Sequence, residues 1–320
     1  MKDTLIFSLG SFGSKIILFF MVPLYTNYLT TEEYGTADLV FTVAQFLTPI
    51  MSVAIHDAII RYGLSKDFKR EDVLRVGYYI IGVDILVAIA LGPVVGLYKP
   101  LTQWKWYLSV YAVISIVDSI QFNYLKACGK NRLYAVLSVL KTACMASLNV
   151  LLLAIKHIGV RGYLLANILA LCLTDLLVFI FGKYASELKR SEHDSKLLKE
   201  MLWYSTPLIL NNISWWVIQS SDKVMIEYIL GPAMLGLYTV AAKIPALINV
   251  VISIFSQAWG ISSITEYEDS NDSTFYSTKN VFVRCMCCVY YLYLNYKGFY
   301  VLLCWGGFSR CLEICPIASR

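Results

Sequence analysis

A succession of apolar blocks, each long enough to cross a bilayer as a helix, constrains this chain more than any other feature. A hydrocarbon core about 30 Å thick needs about 20 helical residues. Blocks of that size occupy 5–28, 36–60, 74–98, 104–125, 133–155, 159–182, 203–229, 233–260 and 281–305. They are rich in Leu, Ile, Val, Phe and Ala, and most contain Gly, Ser or Asn suited to close helix packing. A membrane barrel would show segments of about ten residues with strict alternation, and none is visible. Composition agrees, since 58% of the 320 residues are hydrophobic and only 15% charged, against about 25% charged in soluble domains. The expected fold class is all-α, a polytopic transmembrane helix bundle. The first block is read as the first membrane helix and not as a signal peptide. It is too long, carries Lys15 at its middle, and runs into Pro23-Leu24-Tyr25 without a small-residue cleavage site.

The net charge of +5 is a matter of topology. With the amino terminus in the cytoplasm, fifteen Lys and Arg up to residue 280 fall on the inner side, among them Arg61, Lys69, Arg75, Lys130 and Lys189. Four fall outside, at Lys99, Lys105, Lys156 and Arg161. That asymmetry follows the positive-inside rule and predicts a cytoplasmic N-terminus. No basic, aromatic-interleaved patch is left over to predict a nucleic-acid partner.

Residues 183–202 are the one strongly charged stretch, holding Glu187, Lys189, Arg190, Lys196, Lys199 and Glu200. They divide the chain into a six-helix lobe (1–182), a cytoplasmic, helical linker (183–202), a partial lobe of three helices (203–305) and a tail (306–320). A shift of 201 residues superposes Leu29 on Leu230 and Gly35 on Gly236, in two short outer loops free of Lys and Arg. This is the pattern of a parallel internal repeat.

Two runs carry a resemblance. "YLTTEEYGTADLV" follows the first block, and "SSDKVMIEYILGPAMLGLYTVAAKIPALI" crosses the seventh and eighth. Together they resemble the Wzx-type oligosaccharide flippases of O-antigen and capsule pathways, within the multidrug/oligosaccharidyl-lipid/polysaccharide (MOP) exporter superfamily. The resemblance covers about residues 1–280. It implies two six-helix lobes around a cavity that opens alternately to either side. The implied substrate is an undecaprenyl-pyrophosphate-linked oligosaccharide, turned across the bacterial inner membrane during lipopolysaccharide or capsule biosynthesis. The chain departs from the pattern after its third helix of the second lobe. Six of its nine Cys lie in the last 40 residues, and a shift of reading frame near 280–300 is expected. A natural short variant is the other reading, and a product without transport function a third.

Enzyme motifs are lacking. His56, His157 and His193 are far apart in sequence, which gives a metal site or a Ser-His-Asp triad little to work with. Cys285-Met-Cys-Cys and Cys311-Leu-Glu-Ile-Cys lack zinc-ribbon spacing, and no Gly-rich phosphate loop follows a strand. No metal and no cofactor is therefore expected. A membrane-embedded glycan polymerase would want a large outer loop, and these loops are short. Export of small cations or drugs would want an anionic cavity.

Charges inside the spans are the informative residues, because each costs about 2.5–3.5 kcal/mol at the bilayer centre unless it faces a partner or a cavity. Lys15, with Ser8, Ser11 and Ser14 nearby, suits a pyrophosphate or an acidic sugar, or else pairs with an intramembrane Asp. Lys243 is placed in the cavity by the resemblance. Asp38 and Asp222 are candidates for binding a coupling proton or sodium ion. Asp222 and Lys223 point about 100° apart and do not pair with each other. Lys141, Asp118 and Asp84 are expected in interhelical pairs, and Asp175 near a solvated helix end. Asn212, Trp215, Trp216 and Gln219 recur at i, i+3, i+4 and i+7, a candidate sugar-binding face. Pro23, Pro49, Pro207 and Pro245 are expected to bend helices.

Overall fold

The computed structural model describes residues 14, 17–18, 20–65, 67–191 and 194–243. The expectations for Lys15, Pro245, the block at 281–305 and the cysteine-rich tail lie outside the described residues. Within them the fold is all-helical: α1 (Val22–Tyr28), α2 (Thr31–Met51), α3 (Ile55–Leu64), α4 (Arg70–Val95), α5 (Lys105–Ala127), α6 (Asn131–Asn149), α7 (Val160–Gly182), α8 (Tyr184–Arg190), α9 (Ser195–Leu230) and α10 (Pro232–Ala241). Helices satisfy their own backbone polar groups, which is why they suit a bilayer. Four of the described helices, counting α6 with its π-helical continuation to Ile155, are long and apolar enough to cross a membrane; a bent pair adds a fifth.

That pair is α2 and α3. Thr30 caps α2 through its hydroxyl, which accepts from the Glu33 amide at 3.2 Å, while the Glu33 side chain accepts from the Thr30 amide at 3.0 Å. This capping box sets where the helix begins. Pro49 lies inside α2, and the chain breaks three residues later, at Ser52–Ala54, with a bend of 54° before α3. Val53 and Ala54 both take φ of 50° there. The expected bend at Pro49 is thus a true break. Pro207, by contrast, sits inside a helix that runs unbroken from Ser195 to Leu230.

α9 has 36 residues, yet it is not among the apolar spans. Asn211, Asn212, Ser214, Gln219, Ser220, Ser221, Asp222 and Lys223 interrupt its apolar residues. A helix this polar in a bilayer needs partners or water along its length. It also begins eight residues before the block at 203–229, so the second half of the charged connector forms its first two turns.

The core is made where α2, α5 and α7 meet, with α4 against α5 and α6 against α7. Tyr25, Tyr34, Phe41, Tyr111 and Tyr163 interlock there, with Tyr25 and Tyr163 at 4.8 Å edge to face and Phe41 and Tyr111 at 4.7 Å. Aromatic pairs in this geometry contribute about 0.5–1.5 kcal/mol beyond burial.

The connector is fastened to this core. Tyr184, fully buried, donates from its hydroxyl to the Gln121 carbonyl at 2.8 Å. Glu187 accepts from the Tyr124 hydroxyl at 2.6 Å and from Lys130 at 3.2 Å. Arg75 donates to the Ser191 carbonyl at 2.7 Å. Tyr124 is also fully buried, so its hydroxyl has no water to fall back on. Glu187→Ala should therefore lower stability by about 2 kcal/mol, the cost of orphaning a buried donor to a charged acceptor. Thermal unfolding of the detergent-solubilised protein would check it.

Candidate functional site

Two glycines bring the second part of the chain against the first. A Cβ built on Gly35 of α2 would lie 1.8 Å from the Pro232 carbonyl oxygen, and one on Gly236 of α10 would lie 2.0 Å from the Thr31 carbonyl oxygen. The two helices therefore cross backbone to backbone, as small residues permit in membranes. The contacts are reciprocal: adding 201 turns Thr31 into Pro232 and Gly35 into Gly236. Each residue touches the counterpart of its own partner, which is the signature of a two-fold relation. One turn further in, Asp38 meets its own counterpart, Thr239, whose hydroxyl donates to Asp38 Oδ2 at 3.0 Å.

Asp38 is the centre of a polar cluster just below this crossing. Lys223 of α9 approaches its two carboxylate oxygens at 3.0 and 3.3 Å. Lys243, half-buried, lies within electrostatic reach of both Asp38 and Lys223. The neighbouring Asp222 accepts from the Tyr238 hydroxyl and from the Lys223 backbone amide at 2.9 Å. The four charges sum to zero, and the Asp38–Lys223 pair is already balanced without Lys243. Asp38 and Asp222, proposed from sequence as ion sites, are thus both neighbours of α10 and both hydrogen-bonded.

From this cluster a polar ladder runs down α9 against α2 and α3. Trp216 donates from its indole to the Thr42 carbonyl at 2.9 Å and packs on Phe46 with centroids 4.7 Å apart. Asn212 donates to Asp57 at 3.1 Å. Arg61 lies 4.5 Å over the Tyr204 ring, and the Tyr62 hydroxyl donates to the Glu200 carbonyl at 3.3 Å. Positions 204, 212, 216 and 223 fall on one helical face by 3.6-residue periodicity.

This separates residues that the sequence pattern grouped. Asn212 and Trp216 are committed to α2 and α3, whereas Trp215 and Gln219 are exposed. Trp215 lies about 100° round the helix from Trp216, beyond the strip that α2 and α3 cover. Thr42 and Thr239 were not singled out from sequence, and Asp57 was read only as a charge near a helix end. Thr239 was within reach, since the shift of 201 maps it onto Asp38.

Elsewhere the charged residues also sort themselves. Lys141 meets both oxygens of Asp118 at 2.9 Å, the expected interhelical pair. Asp84 has no such pair: it is fully buried and neither oxygen has a hydrogen-bond partner. Asp175 is buried and not solvated, because seven residues before Gly182 is about 10 Å inside the helix end. In the loop after α4, Tyr98 donates to Glu227 of α9. Burial first, then this carboxylate, pushes the Tyr98 phenol up to about 12, so it remains the donor.

The crossing yields a prediction with an internal control. Gly35→Ala and Gly236→Ala should each destabilise by at least about 3 kcal/mol, because backbone and not a movable side chain stands in the way. Gly82→Ala in α4, where a Cβ meets nothing within 4 Å, should instead gain about 0.5–1 kcal/mol of helix propensity. Melting temperatures of the three variants test both signs.

Comparison with known proteins places this geometry. The family described as "Polysaccharide biosynthesis protein" matches residues 1–259. The Lsg locus protein 1 of Haemophilus influenzae is 23% identical over 267 residues, covering 80% of this chain and 64% of its own length. An uncharacterised membrane protein of the same organism is 22% identical over 265 residues, covering 80% and 63%. The chain thus spans just under two thirds of the length of these relatives. Among solved structures, a MATE transporter bound to MaL6 superposes with a TM-score of 0.66 at 17% identity, over 99% of this chain and 77% of that one. A MOP superfamily transporter from Pyrococcus furiosus gives 0.65 at 17% identity, over 97% and 75%. These likenesses establish a fold of the MATE and MOP transporter type.

Proposed function

Because this chain belongs to the polysaccharide biosynthesis protein family, we propose that it is a flippase. On this reading it turns an undecaprenyl-pyrophosphate-linked oligosaccharide from the cytoplasmic to the outer leaflet of the bacterial inner membrane, in O-antigen or capsule assembly. Its N-terminus lies in the cytoplasm, and the lobes at 1–182 and 203–305 rock against each other across the linker at 183–202.

The observation that carries the reading is Lys243 beside an already neutralised pair. Asp38 and Lys223 balance each other at 3.0 Å, and the Asp222 carboxylate that offsets Lys243 in the sum is held by the Tyr238 hydroxyl, so the half-buried ammonium is the charge that turns to an arriving anionic group. A pyrophosphate head suits it, held as by a point charge, while the prenyl tail stays in lipid. Lys15 adds a second cation of the same kind. Trp215 and Gln219, both exposed on α9, offer an aromatic face and an amide to sugar rings. Asn212 and Trp216 hold α9 against α2 and α3 and take no part in binding. Asp38 and Asp222 sit where an arriving proton or sodium ion would compete with Lys223 and with the Tyr238 hydroxyl. An ion there would loosen α10 from α2 and α9, the step that alternating access requires.

The test is complementation in a bacterium that lacks its own O-antigen flippase. The chain should restore surface polysaccharide, and Lys243→Ala should lower it about tenfold or more, the loss of about 1.4 kcal/mol of binding. Lys243→Arg should retain most of it. Asn212→Ala should reduce melting temperature more than flux per inserted molecule. Normal polysaccharide with Lys243→Ala would overturn the assignment of the anion site.

A further inference from the structure

A second, largely buried cluster lies away from the crossing, between α5, α6 and α7. Lys141 of α6 holds both oxygens of Asp118 of α5 at 2.9 Å. Its ammonium also lies 4.3 Å from the centre of the Phe122 ring. Asp175 of α7 is 6% exposed and comes within hydrogen-bonding reach of Asp118. Its other oxygen, Oδ1, is buried without a partner. Two carboxyls in contact cannot both be ionised without compensation, and Lys141 is already committed to one of them.

We propose that Asp118, Lys141 and Asp175 form a proton-binding site, with the proton on Asp175 and shared toward Asp118 while Lys141 holds Asp118. When the proton leaves, it passes to a water molecule, and the side open to one is where the Asp118 and Lys141 side chains are 17% and 25% exposed. Asp175 then carries a negative charge, and Lys141 is drawn between two carboxylates instead of one. The protonation state thereby sets whether α6 is tied to α5 alone or to α5 and α7 together.

The neighbouring groups leave this balance intact. Lys126 of α5 acts on Asp118 and Lys141, but its ammonium is bonded to Asn123 at 3.2 Å and stacked on Tyr134 at 4.9 Å. Tyr111 of α5 and Tyr134 of α6 face Asp118. Tyr78 of α4, Cys172 of α7 and Tyr184 of α8 face Asp175. The tyrosines and the cysteine are neutral in the neutral range, so none supplies a second positive charge to Asp175. A metal cation is a poor occupant, because the Lys141 ammonium already fills the space between the oxygens of Asp118. The use of this proton to drive transport rests on the flippase reading; the site itself does not.

The experiment is infrared titration of the purified full chain in lipid vesicles, without substrate. An Asp84→Asn background removes the fully buried carboxyl of α4, neither of whose oxygens has a partner. A protonated-carboxyl band should disappear as pH rises, Asp175→Asn should abolish its titration, and Asp175→Glu should keep the band at a shifted position. Lys141→Met should about double its amplitude at the same pH, because Asp118 then needs a proton of its own. A purely structural ion pair would change in neither way. A band unaltered by Asp175→Asn, in protein with unchanged helical circular dichroism, would overturn the proposal. A chain that shows the band and restores no surface polysaccharide tells against the flippase reading and leaves the proton site standing.

Discussion

The contact between Gly35 and Gly236 is the constraint on which the rest depends. Backbones meet there with no side chain between them, so the crossing of α2 and α10 has little freedom of angle or depth. Everything polar at the centre follows from that register. Asp38 lies one turn in from Gly35, and Thr239 one turn in from Gly236, which is why the two meet at 3.0 Å. Lys223 reaches the same carboxylate because α9 turns into α10 through Gly231, at φ of 85°. A longer connection would let α9 drift from α2. A side chain at either glycine would separate the carboxylate from both of its donors.

The ladder below the crossing is of a different kind. Its rungs are single hydrogen bonds, one cation–π contact and the packing of Trp216 on Phe46, each worth about 0.5–1.5 kcal/mol, and they are spread along α9 from Glu200 to Trp216. A surface joined this way can part at one end without unfolding either side, since each polar group can exchange its partner for water. The break at Ser52–Ala54 falls between Thr42 and Asp57, so the two halves of the ladder belong to helices that meet at 54°. The crossing anchors one end, and the bend gives the other its own direction.

Much of this was legible in the sequence, for identifiable reasons. The membrane helices follow from block length alone: α4, α5, α6 with its π-helical end, and α7 fall within a few residues of the apolar blocks. The family resemblance was carried by the α2 start and the α9–α10 run, and these are the segments that make the crossing. Periodicity within one helix did not give the packing around each residue. Asn212, Trp215, Trp216 and Gln219 share a stripe, but a stripe about 100° wide has edges, and α2 covers only one of them. Asp84 was expected to pair because charges in membranes do; which charge pairs with which depends on helix rotation, which periodicity within one helix does not give. Asp175 was misjudged because distance from a helix end was weighed without the tyrosines of α4 and α8 that close over it.

The two clusters divide the charged residues in a way that composition could not anticipate. At the crossing, two lysines and two aspartates cancel, yet the pairing of Asp38 with Lys223 leaves Lys243 available to an anion. Between α5, α6 and α7, one lysine faces two carboxyls, and the imbalance there is negative. A lysine beside a pair already joined suits a phosphate; a site with one carboxyl to spare suits a proton. Both lie on helices that touch the connector or α9: α7 runs into α8 through Lys183, and α8 is clamped to α5 through Tyr184 and Glu187. A change in the ties among α5, α6 and α7 therefore acts on α8, which is held to α5 at two points, without any need for the two clusters to touch.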